Sequence, residues 1–305
     1  MDEFSIIDKY FKRNSFIGDD AAIISPISGN DLVISTDCMQ EGVHFLKDDE
    51  PHALGHKLMA VNLSDMAAMG ANPKYVTLTL GLPTADDDWL REFADGLFSL
   101  ANKYDVQLIG GDISRALHIS LSLQIIGYVA KGMALGRRGA NLGDDIYISG
   151  SLGEAAFFLA GKLKNEKKIT PNRLEYPEPR IALGRSLAGI ANCMIDVSDG
   201  LLQDLQHILD LNRVGAELDS NFIPYSAELK KLPLKSKLDY ALTGGEDYEL
   251  LFIAPNSKAR IIEKISRDLD IPLTKIGSIV AGKNVIIRGM KKIPKIASRG
   301  FKHFI

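Results

Sequence analysis

The chain has 305 residues, 46% of them hydrophobic and 25% charged, with a formal net charge of −3. That length suits two domains better than one core, and the near-neutral balance supplies no general attraction for nucleic acid or an anionic membrane. Two cysteines, Cys38 and Cys193, form no CxxC pair and are too few for a disulfide framework. The acidic start Met1-Asp2-Glu3-Phe4 lacks the basic n-region of a signal peptide, and no apolar run approaches the roughly 20 residues needed to span a bilayer. A cytoplasmic protein is the expectation.

In chain order, Leu32-Val33-Ile34-Ser35 is a β-rich run expected to end at Thr36-Asp37. From Leu54 to Met69 apolar residues recur at helical spacing, and Gly70 and Pro73 supply the stop. Tyr75 to Leu80 alternates as a strand. Thr84-Ala85-Asp86-Asp87 reads as a helix cap before the stripe Leu90, Phe93, Leu97, Leu100 and Ala101. Val106 to Ile109 is a strand entering Gly110-Gly111-Asp112, and His118 to Val129 is another.

A Gly- and Arg-rich segment from Lys131 to Asp145 separates this half from the next. There follow a strand at Ile146–Ile148, a helix at Leu152–Leu163, and a charged, Pro-containing stretch from Lys164 to Pro179, the best candidate for a mobile loop. A further helix precedes Met194-Ile195-Asp196, and another runs from Leu201 to Leu211. Strands alternating with helices predict a mixed α/β fold of two domains, 1–140 and 141–305.

The informative residues are aspartates beside Gly, Ser or Thr: Gly18-Asp19-Asp20, Ser35-Thr36-Asp37, Ser64-Asp65, Gly110-Gly111-Asp112 and Asp196-Val197-Ser198-Asp199. Most follow apolar runs, where an element hands over to a loop. Carboxylates delivered at chain reversals can converge on one cleft, and hard cations holding polyphosphate oxygens would resolve their repulsion. Each motif has a plainer reading. Asp199 suits an N-cap, Asp37 a local turn, Asp65 a solvated helix face, and both Gly-Gly pairs a tight turn. Their joint occurrence favours magnesium-dependent phosphoryl transfer. No GxxxxGK[ST] and no GxGxxG exists, which excludes a P-loop and disfavours a dinucleotide fold.

At IGDDAA (17–22), ISTD (34–37), GVHF (42–45), AVNLSDMAAMGA (60–71), QLIGGD (107–112), YPEPR (176–180), IDVSDGL (195–201) and GGEDYEL (244–250) the chain resembles the thiamine-monophosphate kinase family. This family lies in the superfamily of aminoimidazole ribonucleotide synthetase and selenophosphate synthetase. The resemblance runs end to end. It implies phosphorylation of thiamine monophosphate by ATP in a homodimer, whose amino-terminal sheets form a shared barrel, with the active site between the two domains of each chain. Carried over by motif, Asp20, Ser35, Thr36, Asp37, Asp65, Asp112, Asp196 and Asp199 would bind several magnesium ions. Tyr104, Gly111, Asp112, Arg137 and Ser198 would contact ATP, with Arg138 a neighbouring alternative to Arg137. His44, Glu246 and Phe301 would meet the thiamine phosphate.

No catalytic general base is expected, because the attacking phosphate oxygen is already ionised near neutrality. Alternatives are a sister activity such as an aminoimidazole ribonucleotide synthetase-like ligase, and a non-catalytic ATP- and magnesium-binding protein. The absence of an early or carboxyl-terminal cysteine argues against the selenophosphate synthetase and hydrogenase-maturation activities.

Overall fold

The computed structural model describes residues 3–14, 24–164 and 172–289. Asp20 and Phe301 lie outside the described residues, as does part of the 164–179 stretch. By packing, the chain divides into two units, Met1–Met66 with Ala71–Gly132, and Ala67–Gly70 with Met133–Ile305.

In the first unit a short helix α1 (Glu3–Ile6) precedes β1 (Asn30–Gln40), α2 (Pro51–Ala68), β2 (Asn72–Leu82), α3 (Asp87–Lys103), β3 (Gln107–Arg115) and β4 (Ser120–Ala130). The sheet runs β1-β4-β2-β3, antiparallel except for the parallel β2–β3 pair. One face is apolar: Val76, Leu78, Leu80, Leu121, Leu123 and Ile125 are buried, as are Leu58, Met59, Leu63 and Met66 of α2 and Leu90, Phe93 and Leu97 of α3. The other face carries Thr36, Thr77, Thr79, Ser122 and Gln124, as period-two alternation requires. Asp86 caps α3 by accepting a hydrogen bond from the Trp89 amide at 2.8 Å.

Three expectations are corrected here. The first strand does not end at Thr36-Asp37, because β1 pairs along its whole length with β4, out to Gln40 opposite Ser120. Nor does β3 stop before Gly110-Gly111-Asp112. It runs to Arg115, with Ile109 as an extra residue where the β2–β3 register shifts. Gly70, at φ +66°, does end α2, whereas Pro73 belongs to β2.

The second unit contains β5 (Asp145–Ser149), α4 (Glu154–Leu163), α5 (Ile181–Leu187), β6 (Cys193–Asp196), α6 (Leu201–Asn212), β7 (Gly215–Asp219), α7 (Ala227–Lys230), α8 (Leu234–Thr243), β8 (Leu250–Ala254), α9 (Ala259–Leu269), β9 (Leu273–Val280) and β10 (Val285–Arg288). Its six-stranded sheet runs β10-β7-β9-β5-β8-β6. Ile146, Ile148, Ile195, Leu251 and Ile253 pack against Leu201, Leu205, Ile208 and Leu209 of α6 and Leu238 and Leu242 of α8 in one core. No helix among the described residues is long and apolar enough to cross a membrane.

Candidate active site

In the first unit the Ser35-Thr36-Asp37 motif lies inside a strand, so alternation divides it between the two faces of the sheet. Ser35 donates its hydroxyl hydrogen to Asp65 Oδ2 on α2. The Asp37 amide donates to Asn62 Oδ1 at 3.3 Å, one turn earlier on the same helix, and Asn62 is itself fixed by its 2.9 Å bond to the Leu58 carbonyl. Ser35, Asp37 and Asp65 therefore form one group on the helix side of β1. Thr36 stands on the open face, where Gln124 Nε2 donates to its hydroxyl at 3.5 Å. Side chains of all three motif residues cannot share one ion on a regular strand.

Asp112 belongs to a different place in the sheet. The register runs Cys38–Ser122–Thr79–Asp112 across β1, β4, β2 and β3. Three strand spacings, about 14 Å, separate the two ends of that row. Asp112 is exposed on the edge strand. Gly111 has a concrete reason to be glycine: an added Cβ would stand 1.9 Å from the Leu78 carbonyl oxygen. Its close approach is to β2.

His44 follows β1 in a turn, and its Nδ1 accepts from the Gln40 amide at 3.0 Å. Tyr104 ends α3 as its C-cap, with its amide bonded to the Leu100 carbonyl at 3.1 Å.

In the second unit, Asp196 ends β6 as a buried carboxylate. Asp199 does not cap α6. Gly200 is the N-cap, and the amides of Asp199 and Gly200 donate to Asp204 Oδ2 at 3.1 and 3.0 Å. Asp199 instead accepts from Gln203 Nε2 at 2.8 Å. Asp204, unnoticed in the sequence reading, is only 2% exposed. Burial, then the charges of Asp196 and Asp199, push its carboxyl up to about 7. Carboxylate or imidazole atoms of Asp199, Asp204 and His207 lie within 4.8 Å of one another. The signal was present in the sequence, since Asp204 stands on the buried stripe Leu201, Leu205 and Ile208.

Opposite this loop stands Gly244-Gly245-Glu246-Asp247-Tyr248-Glu249, which is no hairpin turn. The Glu246 amide donates to the Ser198 carbonyl at 2.8 Å and the Tyr248 amide to the Val197 carbonyl at 2.9 Å. A Cβ on Gly245 would stand 2.4 Å from the Ser198 oxygen, so the two motifs lie backbone against backbone. Glu246 and Tyr248 are left-handed, at φ +67° and +50°. That conformation costs a residue with a side chain about 1–2 kcal/mol.

Asp247 between them and Glu249 after them are 2% and 0% exposed. Asp247 Oδ2 accepts from the Gly153 amide at 2.7 Å, at the start of α4. Burial raises its carboxyl to about 8, against the opposing pull of amides and of Arg173. Glu249 accepts from Arg180 Nε and Nη2 at 2.8 and 2.7 Å and from the Ser149 hydroxyl. Burial works against its charge, yet Arg180 and Arg173 hold it below the ordinary value.

Of the two adjacent arginines, Arg138 donates to the Leu211 carbonyl at the end of α6, at 3.3 Å. The Arg137 carbonyl accepts from Asn212 at 2.7 Å.

Residues 18–129 match the family described as AIR synthase related protein, N-terminal domain, and residues 141–289 match its C-terminal domain. A thiamine-monophosphate kinase of Buchnera aphidicola (strain APS) is 42% identical, over 99% of this chain and 98% of that one. The Escherichia coli K12 thiamine-monophosphate kinase is 42% identical over 92% and 90%. Among solved structures, a thiamine-monophosphate kinase from Stenotrophomonas maltophilia K279a is 40% identical with a TM-score of 0.86, covering 95% of this chain and 96% of its own. AaThiL complexed with AMPPCP and TMP is 34% identical with a TM-score of 0.79, over 99% and 97%. The fold is the two-domain mixed α/β fold of these proteins, and the chain belongs to the thiamine-monophosphate kinase family of AIR synthase related proteins.

Proposed function

We propose that this chain is a thiamine-phosphate kinase, transferring the γ-phosphoryl group of ATP to thiamine monophosphate to give thiamine diphosphate. The observation that carries the reading is full-length similarity to AaThiL complexed with AMPPCP and TMP, joined to the acidic motifs. Residues 1–140 are read as the ATP- and magnesium-binding and dimerisation domain, and 141–305 as the second domain.

The donor sets suit magnesium. Asp204 is raised by burial and by Asp196 and Asp199, a repulsion that a cation beside them would relieve. Asp196 and Asp199 would hold metal in the second unit. In the first, Ser35, Asp37 and Asp65 would do so on one face of the sheet, and Thr36 and Asp112 would serve elsewhere; Asp20 completes the proposed set. When bound, magnesium screens the charges of the two phosphate groups and favours in-line transfer.

The chain's own task is to bring two anions together. Their bare repulsion at about 4 Å is on the order of 4 kcal/mol per unit-charge pair at an effective dielectric near 20. Arg137 would pair with ATP phosphate, a choice favoured by Arg138 being tied to α6. Gly111, Asp112, Ser198 and Tyr104 would complete the nucleotide contacts. His44, Glu246 and Phe301 would hold thiamine monophosphate, whose phosphate oxygen attacks without a general base because its second pKa is about 6.

Homodimerisation through the first unit's sheet is part of the reading. Leu32 and Ile34, 52% and 54% exposed, give its edge strand an apolar face.

The test is thiamine diphosphate formation from ATP, magnesium and thiamine monophosphate, with an EDTA control and a parallel free-thiamine reaction. Product only with the monophosphate and metal is expected. Nucleotide binding without product would refute the kinase reading.

A further inference from the structure

The two left-handed residues of the Gly244–Glu249 segment need something to hold them, since neither is glycine or asparagine. Two hydrogen bonds, from the Glu246 and Tyr248 amides to the Ser198 and Val197 carbonyls, fix one side. The buried carboxylates between and after them fix the other. Asp247 is locked at the start of α4 by the Gly153 amide. Glu249 sits in a fork from Arg180, with the Ser149 hydroxyl on the same oxygen, and Arg173 Nη2 lies 2.7 Å from its Oε1 without hydrogen-bonding alignment. Even the turn beneath is shaped to it: a Cβ on Gly150 would stand 2.0 Å from Glu249 Oε1.

The arginines come from the Asn172–Arg180 segment, which this arrangement fastens to the same place. Arg173 donates its amide to Glu154, Lys162 pairs with Glu175 at 3.4 Å, and Asn172 Oδ1 accepts from the Leu174 and Glu175 amides. A carboxylate with no solvent exposure and a bidentate guanidinium partner is a fixed point, because breaking the pair strands a buried charge. A planar fork sets orientation as well as distance, which a lysine ammonium does not.

We propose that Arg180 and Glu249 are positioning residues, holding Glu246 in its left-handed conformation so that its side chain is presented to thiamine monophosphate. The role is indirect: Arg180 acts through Glu249 and the backbone leading to Glu246. Its functional arm rests on the reading of Glu246 as a substrate contact.

The experiment uses the full chain with Arg180→Lys, which keeps the charge and loses the fork. Hydrogen exchange of the 244–250 peptide and separate KM values for thiamine monophosphate and ATP are measured beside wild type and Glu246→Ala. With unchanged circular dichroism, exchange at the Glu246 and Tyr248 amides should accelerate about tenfold. The KM for thiamine monophosphate should rise about fivefold while that for ATP stays within about twofold. Should Arg180→Lys fail to fold, Ser149→Ala removes only one hydroxyl donor from Glu249 and gives the same reading on a smaller scale. Wild-type exchange at both amides in the folded variant would overturn the proposal. Accelerated exchange with an unmoved thiamine monophosphate KM, in this variant and in Glu246→Ala alike, would leave the anchoring standing and overturn its functional arm.

Discussion

Replacing Asp247 by Asn should change how the second unit responds to pH. In the folded chain its carboxyl is raised from the ordinary value to about 8 by burial, with the Gly153 and Ala155 amides and Arg173 pulling the other way. The folded protein therefore keeps this proton through neutrality, while the unfolded chain releases it near pH 4. Wherever the folded state binds more protons, stability falls as pH rises. Each pH unit in that window is worth about 1.4 kcal/mol, so from pH 4 to pH 7 this one group removes about 4 kcal/mol of stability. The loss levels off above about pH 8, where both states have released the proton.

An asparagine keeps an oxygen for the Gly153 amide but does not ionise. Asp247→Asn should thus be no more stable than wild type at pH 4 and more stable by several kcal/mol at pH 8. Urea unfolding followed by circular dichroism across that range checks this. The single tryptophan, Trp89 in α3, reports the first unit by fluorescence as an internal control. Parallel stability profiles for variant and wild type would refute the reasoning.

Asp112→Asn should lower kcat by at least about a hundredfold, yet shift thermal stability by less than about 0.5 kcal/mol because the residue is exposed on an edge strand. Near-wild-type turnover in the folded variant would remove Asp112 from the metal set. Glu246→Ala should raise the KM for thiamine monophosphate and leave that for ATP alone; separate titrations of the two substrates decide it. Gly111→Ala should destabilise the first unit by about 2 kcal/mol or more, read by Trp89 fluorescence, because its Cβ would meet the Leu78 carbonyl at 1.9 Å. Leu32→Lys with Ile34→Lys should yield monomers in sedimentation velocity; a persistent dimer would place the contact elsewhere.

The sequence by itself located most elements of the first unit and pointed to the class of chemistry. Apolar periodicity located the core of α2, the stripe of α3 and the strand alternation around Leu121, Leu123 and Ile125, because burial on one face must repeat with the period of the backbone. Acidic motifs beside small residues pointed to phosphoryl transfer, and the motif set identified the family. What it misjudged was where those motifs sit. Thr36-Asp37 and Gly110-Gly111-Asp112 read as strand ends, yet both lie within β1 and β3, since the partner strand, and not local propensity, decides where pairing stops. The division of Ser35 and Asp37 from Thr36 follows from that.

Nor does local sequence say which carboxylates are buried together. Asp204 meets Asp199 through backbone amides at the head of α6, and Glu249 meets Arg180 across 69 residues of chain. The Arg180–Glu249 pairing, and the left-handed backbone at Glu246 that it accompanies, exist only once distant segments are packed. A buried charge persists where its partners converge, and convergence is a property of the tertiary fold.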